Sequence, residues 1–223
     1  MRSFITMLKT ELKLSLRGMD MFIFAICMPI VVLVAIGIIY GSKPAFEGAN
    51  YTFLEQSFGA ITSIAICAGG VMGLPLVVSD YRSKHILKRF KVTPVDPIVI
   101  LLVQVTIYAL YSLVSMISLF LVAKLFFKLN IQGSILNFIL GWLLVMISMF
   151  SIGIMVGGIS KDSKIAGVIA SVLYFPMLIF SGATIPYEVM PNIMKKIVDI
   201  LPLTQGIKIL KSAVLGQSIE NMI

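Results

Sequence analysis

The chain has 223 residues, of which 59% are apolar and 13% charged, and its formal net charge is +8. Soluble domains carry about 25% charged residues, so this composition argues strongly against a soluble domain, a disordered chain or a nucleic-acid-binding protein. The mean hydropathy of +1.04 is typical of a membrane protein. In such a protein the positive charge marks one side of the bilayer. The two cysteines, Cys27 and Cys67, lie in apolar runs, so we expect buried thiols and no disulfide framework.

The first predicted element is an amphipathic helix over residues 1–19. Its apolar residues recur at steps of four, at Phe4, Leu8, Leu12 and Leu16. Its basic residues share another side, at Lys9, Lys13 and Arg17. This pattern favours a helix at the membrane surface. The alternative is a solvated basic leader that only orients the protein.

Five apolar stretches follow, each long enough to cross about 30 Å of hydrocarbon as a helix. They cover residues 21–40, 57–78, 98–122, 135–159 and 165–186. The predicted fold is therefore an all-α membrane protein, a polytopic helical bundle that forms a single transmembrane domain. No Asp, Glu or Lys lies at mid-span, and we expect Glu55, near the end of the second span, to reach water. The absence of such groups argues against a transporter that is powered by its own ion coupling.

Basic residues set the predicted orientation. The N-terminal arm, the loop 79–97 and the short loop after the fourth span hold 11 Lys and Arg, whereas the short loops opposite hold 3. The positive-inside rule therefore predicts a cytoplasmic N-terminus in a multi-pass protein of the cell membrane. Five spans then leave the C-terminal segment outside with its four lysines, against the rule.

Small residues in two spans indicate close helix packing, within one subunit or between two. They form G-x-x-x-G pairs, Gly69 with Gly73 and Gly153 with Gly157. Prolines interrupt three spans and are expected to kink them, at Pro29, Pro75 and Pro176.

The third span carries a polar stripe on one helical face. Its members are Gln104, Tyr108, Tyr111 and Ser115. Two interpretations remain open: the stripe lines a substrate path, or it bonds to neighbouring helices.

The loop 79–97 reads SDYRSKHILKRFKVTPVDP. Ile86, Leu87 and Phe90 lie at helical spacing in a basic segment, and Pro94 and Pro97 end the predicted helix before the third span. A short amphipathic helix between two rigid spans can transmit force from a docked partner. The alternative is a basic loop that binds anionic lipid head groups.

No motif for catalysis, metal binding or nucleotide binding is present in the sequence. The single histidine, His85, lies among lysines and is interpreted as a surface residue. We therefore expect no enzyme activity and no cofactor in this chain. If ATP powers transport, a separate subunit must bind ATP and Mg²⁺.

The segment after the fifth span contains SGATIPYEVMP and LPLTQGIKILKSAVLG. Glycine and three prolines divide it into short pieces, so residues 187–223 are predicted to form outer re-entrant or interfacial helices. Together with the N-terminal helix and the VTPVDP loop, these motifs resemble the permease subunits of ABC-2 type transporters. The resemblance covers nearly the whole chain.

The resemblance implies that the loop 79–97 is a coupling helix that docks on a separate ABC ATPase subunit. It implies dimers with six spans per subunit that export drugs, peptides, lipids, glycans or ions. The residues that we expect to make the coupling contacts are Arg82, Ile86, Leu87, Arg89 and Phe90. The loop departs from the family in having Lys84, His85 and Ile86 where an acidic residue and a Gly-Thr pair often occur. The sequence also stops at Ile223, where a sixth span would begin, so we expect a truncated chain.

The leading hypothesis is a membrane subunit of an ATP-driven exporter of a hydrophobic or amphipathic drug, peptide or lipid. Its expected partners are the ATPase, membrane lipid and a second permease subunit in a homodimer or heterodimer, with no nucleic acid. The alternative is a non-transporting scaffold or immunity protein that binds a partner through its basic loop. The missing catalytic groups disfavour a membrane enzyme.

Overall fold

The computed structural model describes residues 2–41, 43–45, 50–86, 96–181 and 191–216. Within these ranges the chain is almost entirely helical and forms no extended strand. The helices are α1 (Arg2–Gly18), α2 (Ile23–Tyr40), α3 (Phe53–Ser83), α4 (Pro97–Phe127), α5 (Ile135–Ile159), α6 (Ser163–Phe180), α7 (Asn192–Val198) and α8 (Pro202–Leu215). A three-residue helical piece, Asp20–Phe22, directly precedes α2. Helices α2 to α6 are long and apolar enough to cross a membrane. The predicted all-α polytopic fold with five spans is confirmed.

The antiparallel spans give the bundle two ends. The α1 end holds α1, the end of α3, the start of α4 and the turn between α5 and α6. We call the opposite end the loop end, after the connection from α4 to α5 and not after the loop 79–97. It holds this connection, the start of α3 and the end of α8. The end of α8 lies there because the Gly133 N–H donates to the Val214 carbonyl at 3.1 Å.

Side chains fix where the spans begin. The Thr52 hydroxyl accepts from the Glu55 N–H at 3.2 Å, and the Glu55 carboxylate accepts from the Thr52 N–H at 2.8 Å. This capping box satisfies two N–H groups at the helix start, so α3 begins at Phe53, four residues before the predicted span. Asp96 and Asp162 cap α4 and α6 by accepting from Ile98 N–H and Ile165 N–H, each at 2.8 Å.

The expectation that Glu55 reaches water is wrong. Its side chain is buried, with the residue 7% exposed, and its second carboxylate oxygen accepts from the Asn130 N–H at 3.3 Å. The carboxylate therefore ties the α4–α5 connection to the start of α3. Backbone N–H groups take the place that water would occupy.

Helix α3 is the centre of the bundle. It contacts α2, α4, α5, α6 and α8. In α3, 72% of the apolar stretch of the span is buried inside the chain. The buried share is only 28% in α2 and 17% in α6. The faces left open on α2 and α6 are apolar, as expected for surfaces in contact with lipid or another subunit.

Helix α8 lies between α3 and α5 and runs antiparallel to α5. A Cβ at Gly141 would lie 2.8 Å from Ile209 Cγ2, and a Cβ at Gly206 would lie 2.9 Å from Val145 Cγ2. A Cβ at Gly59 would lie 2.8 Å from the Lys211 backbone nitrogen. Since 14 helical residues rise about 20 Å, α8 reaches well into the bundle from the loop end. The segments 182–190 and 217–223, which include most of the SGATIPYEVMP motif, lie outside the described residues.

Candidate coupling site at the α1 end

Three polar side chains from three helices meet beneath α1. The Tyr81 hydroxyl donates to the Glu11 carboxylate at 2.6 Å, and the Gln104 amide donates to the same oxygen at 3.1 Å. The Gln104 amide also lies 3.1 Å from the Tyr81 hydroxyl oxygen. We call this the Glu11 cluster. It joins α1, the end of α3 and the start of α4.

Apolar packing positions the Glu11 cluster. The inner face of α1 carries Phe4, Met7, Leu8 and Leu12, which pack against a small core from α2 and α4. The predicted apolar face of α1 is therefore covered by protein at Phe4, Leu8 and Leu12, whereas Leu16 is exposed. Glu11 lies on that same face one turn from Met7. A second polar contact, 3.0 Å between the Ser15 and Tyr111 hydroxyls, joins α1 to α4 one turn further on.

The polar stripe on α4 faces neighbouring helices in this chain. Gln104 and Tyr111 bond to side chains of α1. Tyr108 is 4% exposed and its ring lies 2.6 Å from where a Cβ on Gly73 would be. Ser115 is buried, and its hydroxyl has no hydrogen-bond partner within the described part of the chain. These contacts fit the interpretation of bonding between helices, and the substrate path stays a prediction.

Two of the five predicted coupling residues are described. Arg82 is exposed and directly follows Tyr81, and Ile86 is partly exposed. Between them α3 ends at Ser83, and His85 has a φ of 57°. The other three, Leu87, Arg89 and Phe90, lie outside the described residues.

The exposed surface of the α1 end is basic. Its exposed cations are Lys9, Lys13, Arg17, Arg82, Lys84, Lys161 and Lys164. Lys84 forms an ion pair with Asp80 at 2.8 Å. Among the described residues there is no group of three or more His, Cys, Asp or Glu side chains that could hold a metal ion.

The predicted packing glycines lie at two interfaces within the chain. A Cβ at Gly153 would overlap the Gly70 carbonyl oxygen, and a Cβ at Gly157 would lie 2.7 Å from the Val78 Cβ. These two residues let α5 approach the backbone of α3. Gly73 lies against Met21 and Tyr108, and Gly69 lies near the Tyr108 ring.

A comparison with known protein families shows which family has this architecture. The model of the ABC-2 type transporter family matches residues 2–215. The chain belongs to the ABC-2 type transporter family. It is therefore a multi-pass transmembrane component of a transport system.

Two curated relatives support the assignment. The inner membrane transport permeases YhhJ of Escherichia coli and of Shigella flexneri are each 29% identical over 129 residues. The match covers 57% of this chain but 34% of either relative, so it spans about a third of their length. No solved structure matches the chain.

Sequence reasoning missed Glu11 and Tyr81. A signal for Glu11 is present in the sequence, because it is an acidic residue on the apolar side of an otherwise basic helix. Tyr81 offers no such signal, since its partner is 70 residues away in the chain. The pairing depends on α1 folding back along α4.

Proposed function

We propose that this chain is the membrane-spanning subunit of an ATP-driven exporter. A separate ABC ATPase subunit supplies the energy, and the substrate is a hydrophobic or amphipathic drug, peptide or lipid. The α1 end is cytoplasmic in this proposal, because the basic residues concentrate there. Family membership and the mostly uncharged spans support it, since proton relays in ion-coupled transporters are built from ionisable groups within the spans.

One observation carries the proposed coupling mechanism. Tyr81, whose hydroxyl bonds to Glu11, directly precedes Arg82, the first residue of the predicted docking contact. A displacement of the coupling loop by the ATPase therefore pulls on α1 and α4 through the Glu11 cluster. Apolar residues of the loop, Leu87 and Phe90, seat in a groove of the ATPase. Anionic lipid head groups contact the surrounding cations.

We further propose that two permease subunits, identical or different, enclose the substrate path. The open apolar faces of α2 and α6 support this arrangement, because only 28% of the apolar stretch of α2 and 17% of that of α6 are buried within the chain. Substrate then passes along faces of α2, α3 and α6 when ATP binding shifts the two coupling loops. Such a switch requires two helix arrangements whose populations the ATPase changes.

The test is co-expression with the ABC ATPase encoded by a neighbouring gene. Leu87→Asp with Phe90→Asp should abolish co-purification of the ATPase and leave membrane insertion intact, because a charge cannot enter an apolar groove unpaired. The matched control is Lys128→Asp at the loop end, which should co-purify normally. Unchanged co-purification of the double variant contradicts the coupling assignment.

Transport by reconstituted vesicles separates the exporter from the scaffold. ATP-dependent movement of a fluorescent amphipathic dye supports the exporter. Partner binding without transport of any tested dye, peptide or lipid supports the scaffold. A missing ATPase gene in the neighbourhood also favours the scaffold.

A further inference from the structure

Two π-helical segments meet inside the bundle. One is Ile23–Cys27 in α2 and the other is Ala68–Gly73 in α3, and they contact each other. Met21, just before the first segment, packs on the second, because a Cβ at Gly73 would lie 2.6 Å from its sulfur. The same position on Gly73 lies 2.6 Å from Tyr108 Cε1. The two irregular segments therefore lie at one level of the bundle.

Proline accounts for both segments in the same way. The Met28 N–H donates to the Ile23 carbonyl and the Leu74 N–H donates to the Gly69 carbonyl, each five residues back. The next residue is a proline in both helices, Pro29 and Pro75. Proline has no N–H, so the helix loses a backbone hydrogen bond at this point in each span. A short stretch of the i→i+5 pattern inside an α-helix is the form in which π-helical structure occurs in proteins.

Pro75 cannot donate to the carbonyl five residues before it, which is that of Gly70. Gly153 of α5 lies so close to this oxygen that a Cβ on Gly153 would overlap it. A Cα–H···O contact is weaker than an N–H···O bond. The helix can therefore exchange it at lower cost than a regular helical bond.

The helical pieces on the two sides of each π segment have different main neighbours, although α5 contacts both pieces of α3. On the loop side, Met28–Tyr40 packs on Phe53–Cys67, which in turn packs on α8. On the α1 side, Leu74–Ser83 packs mainly on α5 and α6 and bonds to α1 through Tyr81 and Glu11. Helix α1 connects to the first π segment through Met19, which has a φ of 55°, and the three-residue helix Asp20–Phe22.

We propose that the paired π segments form a hinge, about which α1 and Leu74–Ser83 tilt together against the loop-side pieces of α2 and α3. Kinks at prolines and π segments are the usual places where helices bend. The third of the prolines predicted to kink a span is Pro176, which lies inside α6. No π segment is described around it. The hinge itself does not depend on an ATPase, and only the force that drives it rests on the proposed function.

The test measures distances in the full chain in lipid nanodiscs without ATPase. Spin labels are placed at Lys13→Cys on α1 and Ser134→Cys at the loop end, two exposed positions, with Cys27 and Cys67 replaced by alanine. Unlabelled chains are added in excess so that distances within one chain dominate. Pulsed electron–electron double resonance should show a broad distribution of the distance between the two labels. Pro29→Ala with Pro75→Ala should narrow it about twofold, because the carbonyls regain their N–H partners.

Pro176→Ala is the matched control and should leave the width unchanged. Equal narrowing by this control, or no narrowing by the double variant, overturns the hinge. If the double variant does not fold, deletion of Gly69 is the second variant, because removing one residue from a π segment restores the regular helix. An unchanged width in the deletion variant also overturns the hinge. Loss of ATPase binding by Leu87→Asp has no bearing on these distances, so the two proposals fail separately.

Discussion

The two ends of the bundle each hold a carboxylate between helices, and they hold it differently. At the α1 end, Glu11 accepts hydrogen bonds from the side chains of Tyr81 and Gln104. At the loop end, Glu55 accepts from the backbone N–H groups of Thr52 and Asn130. Side-chain donors can rotate away from a carboxylate, whereas backbone donors move only if the chain itself moves. The α1 end is therefore built to shift and the loop end to hold.

Packing strengthens this difference. At the loop end, α8 lies directly on the backbone of α3 at Gly59, and the α4–α5 connection bonds to Val214. At the α1 end, α1 rests on a small apolar core and its outer face is exposed. Substitutions at the loop end should lower global stability, and substitutions at the α1 end should loosen α1 locally.

The largest effect is expected from Gly59→Leu. A side chain there meets the Lys211 backbone nitrogen at 2.8 Å, so α8 must leave α3. We expect a loss of about 3 kcal/mol or more in the free energy of unfolding, measured by reversible denaturation in mixed micelles. The matched control is Gly167→Leu, where a Cβ has no neighbour within 4 Å. Equal losses in both variants would show that α8 does not hold the loop end.

Glu55→Ala should have the next largest effect. It removes a charged acceptor that two backbone N–H groups share, and losing hydrogen bonds to a charged group costs about 2–3 kcal/mol. Glu55→Gln keeps a carbonyl acceptor and should lose about half as much. The same denaturation experiment measures both, and a neutral Glu55→Ala variant would contradict the role of this carboxylate.

Tyr81→Phe should change α1 more than the whole molecule. Removing the hydroxyl costs about 1 kcal/mol at the Glu11 cluster, so amide hydrogen exchange in α1 should accelerate about fivefold. Exchange in α8 should stay at the wild-type rate, which serves as the internal control. If α1 and α8 accelerate together, the two ends are not independent.

The smallest effect is expected from Ser15→Ala. Loss of the 3.0 Å contact with Tyr111 should accelerate exchange in α1 about twofold. Thr10→Ala is the control, since the Thr10 hydroxyl bonds only to the Thr6 carbonyl of its own helix among the described residues. Faster exchange in the control than in Ser15→Ala would remove the argument for this contact.

Much of the fold could be predicted because lipid exposure demands long uncharged helices. All five spans were found from the sequence, although α3 extends beyond 57–78 at both ends. Its first turn depends on the reciprocal Thr52–Glu55 bonds, and its last turn carries the polar residues Asp80, Tyr81 and Arg82. Hydropathy registers neither feature, because a capped or interfacial turn is not apolar.

The candidate site was predicted only in part. The stripe with Gln104 and Tyr111 was visible because residues on one helix face repeat at steps of three and four. Its partners, Glu11 and Ser15, were not, because a pattern along one helix does not specify which helix lies opposite. The prolines were visible as well, but the pairing of two π segments depends on α2 lying beside α3.

The sequence by itself determined the class of the molecule, its five spans, its basic end and its helix-packing glycines, since each follows from local composition and spacing. The tertiary structure alone decided which carboxylate is clamped by the backbone and which is held by side chains. It also decided which glycine faces which backbone and where the irregular segments meet. These features depend on contacts between residues far apart in the chain, and local spacing carries no information on them.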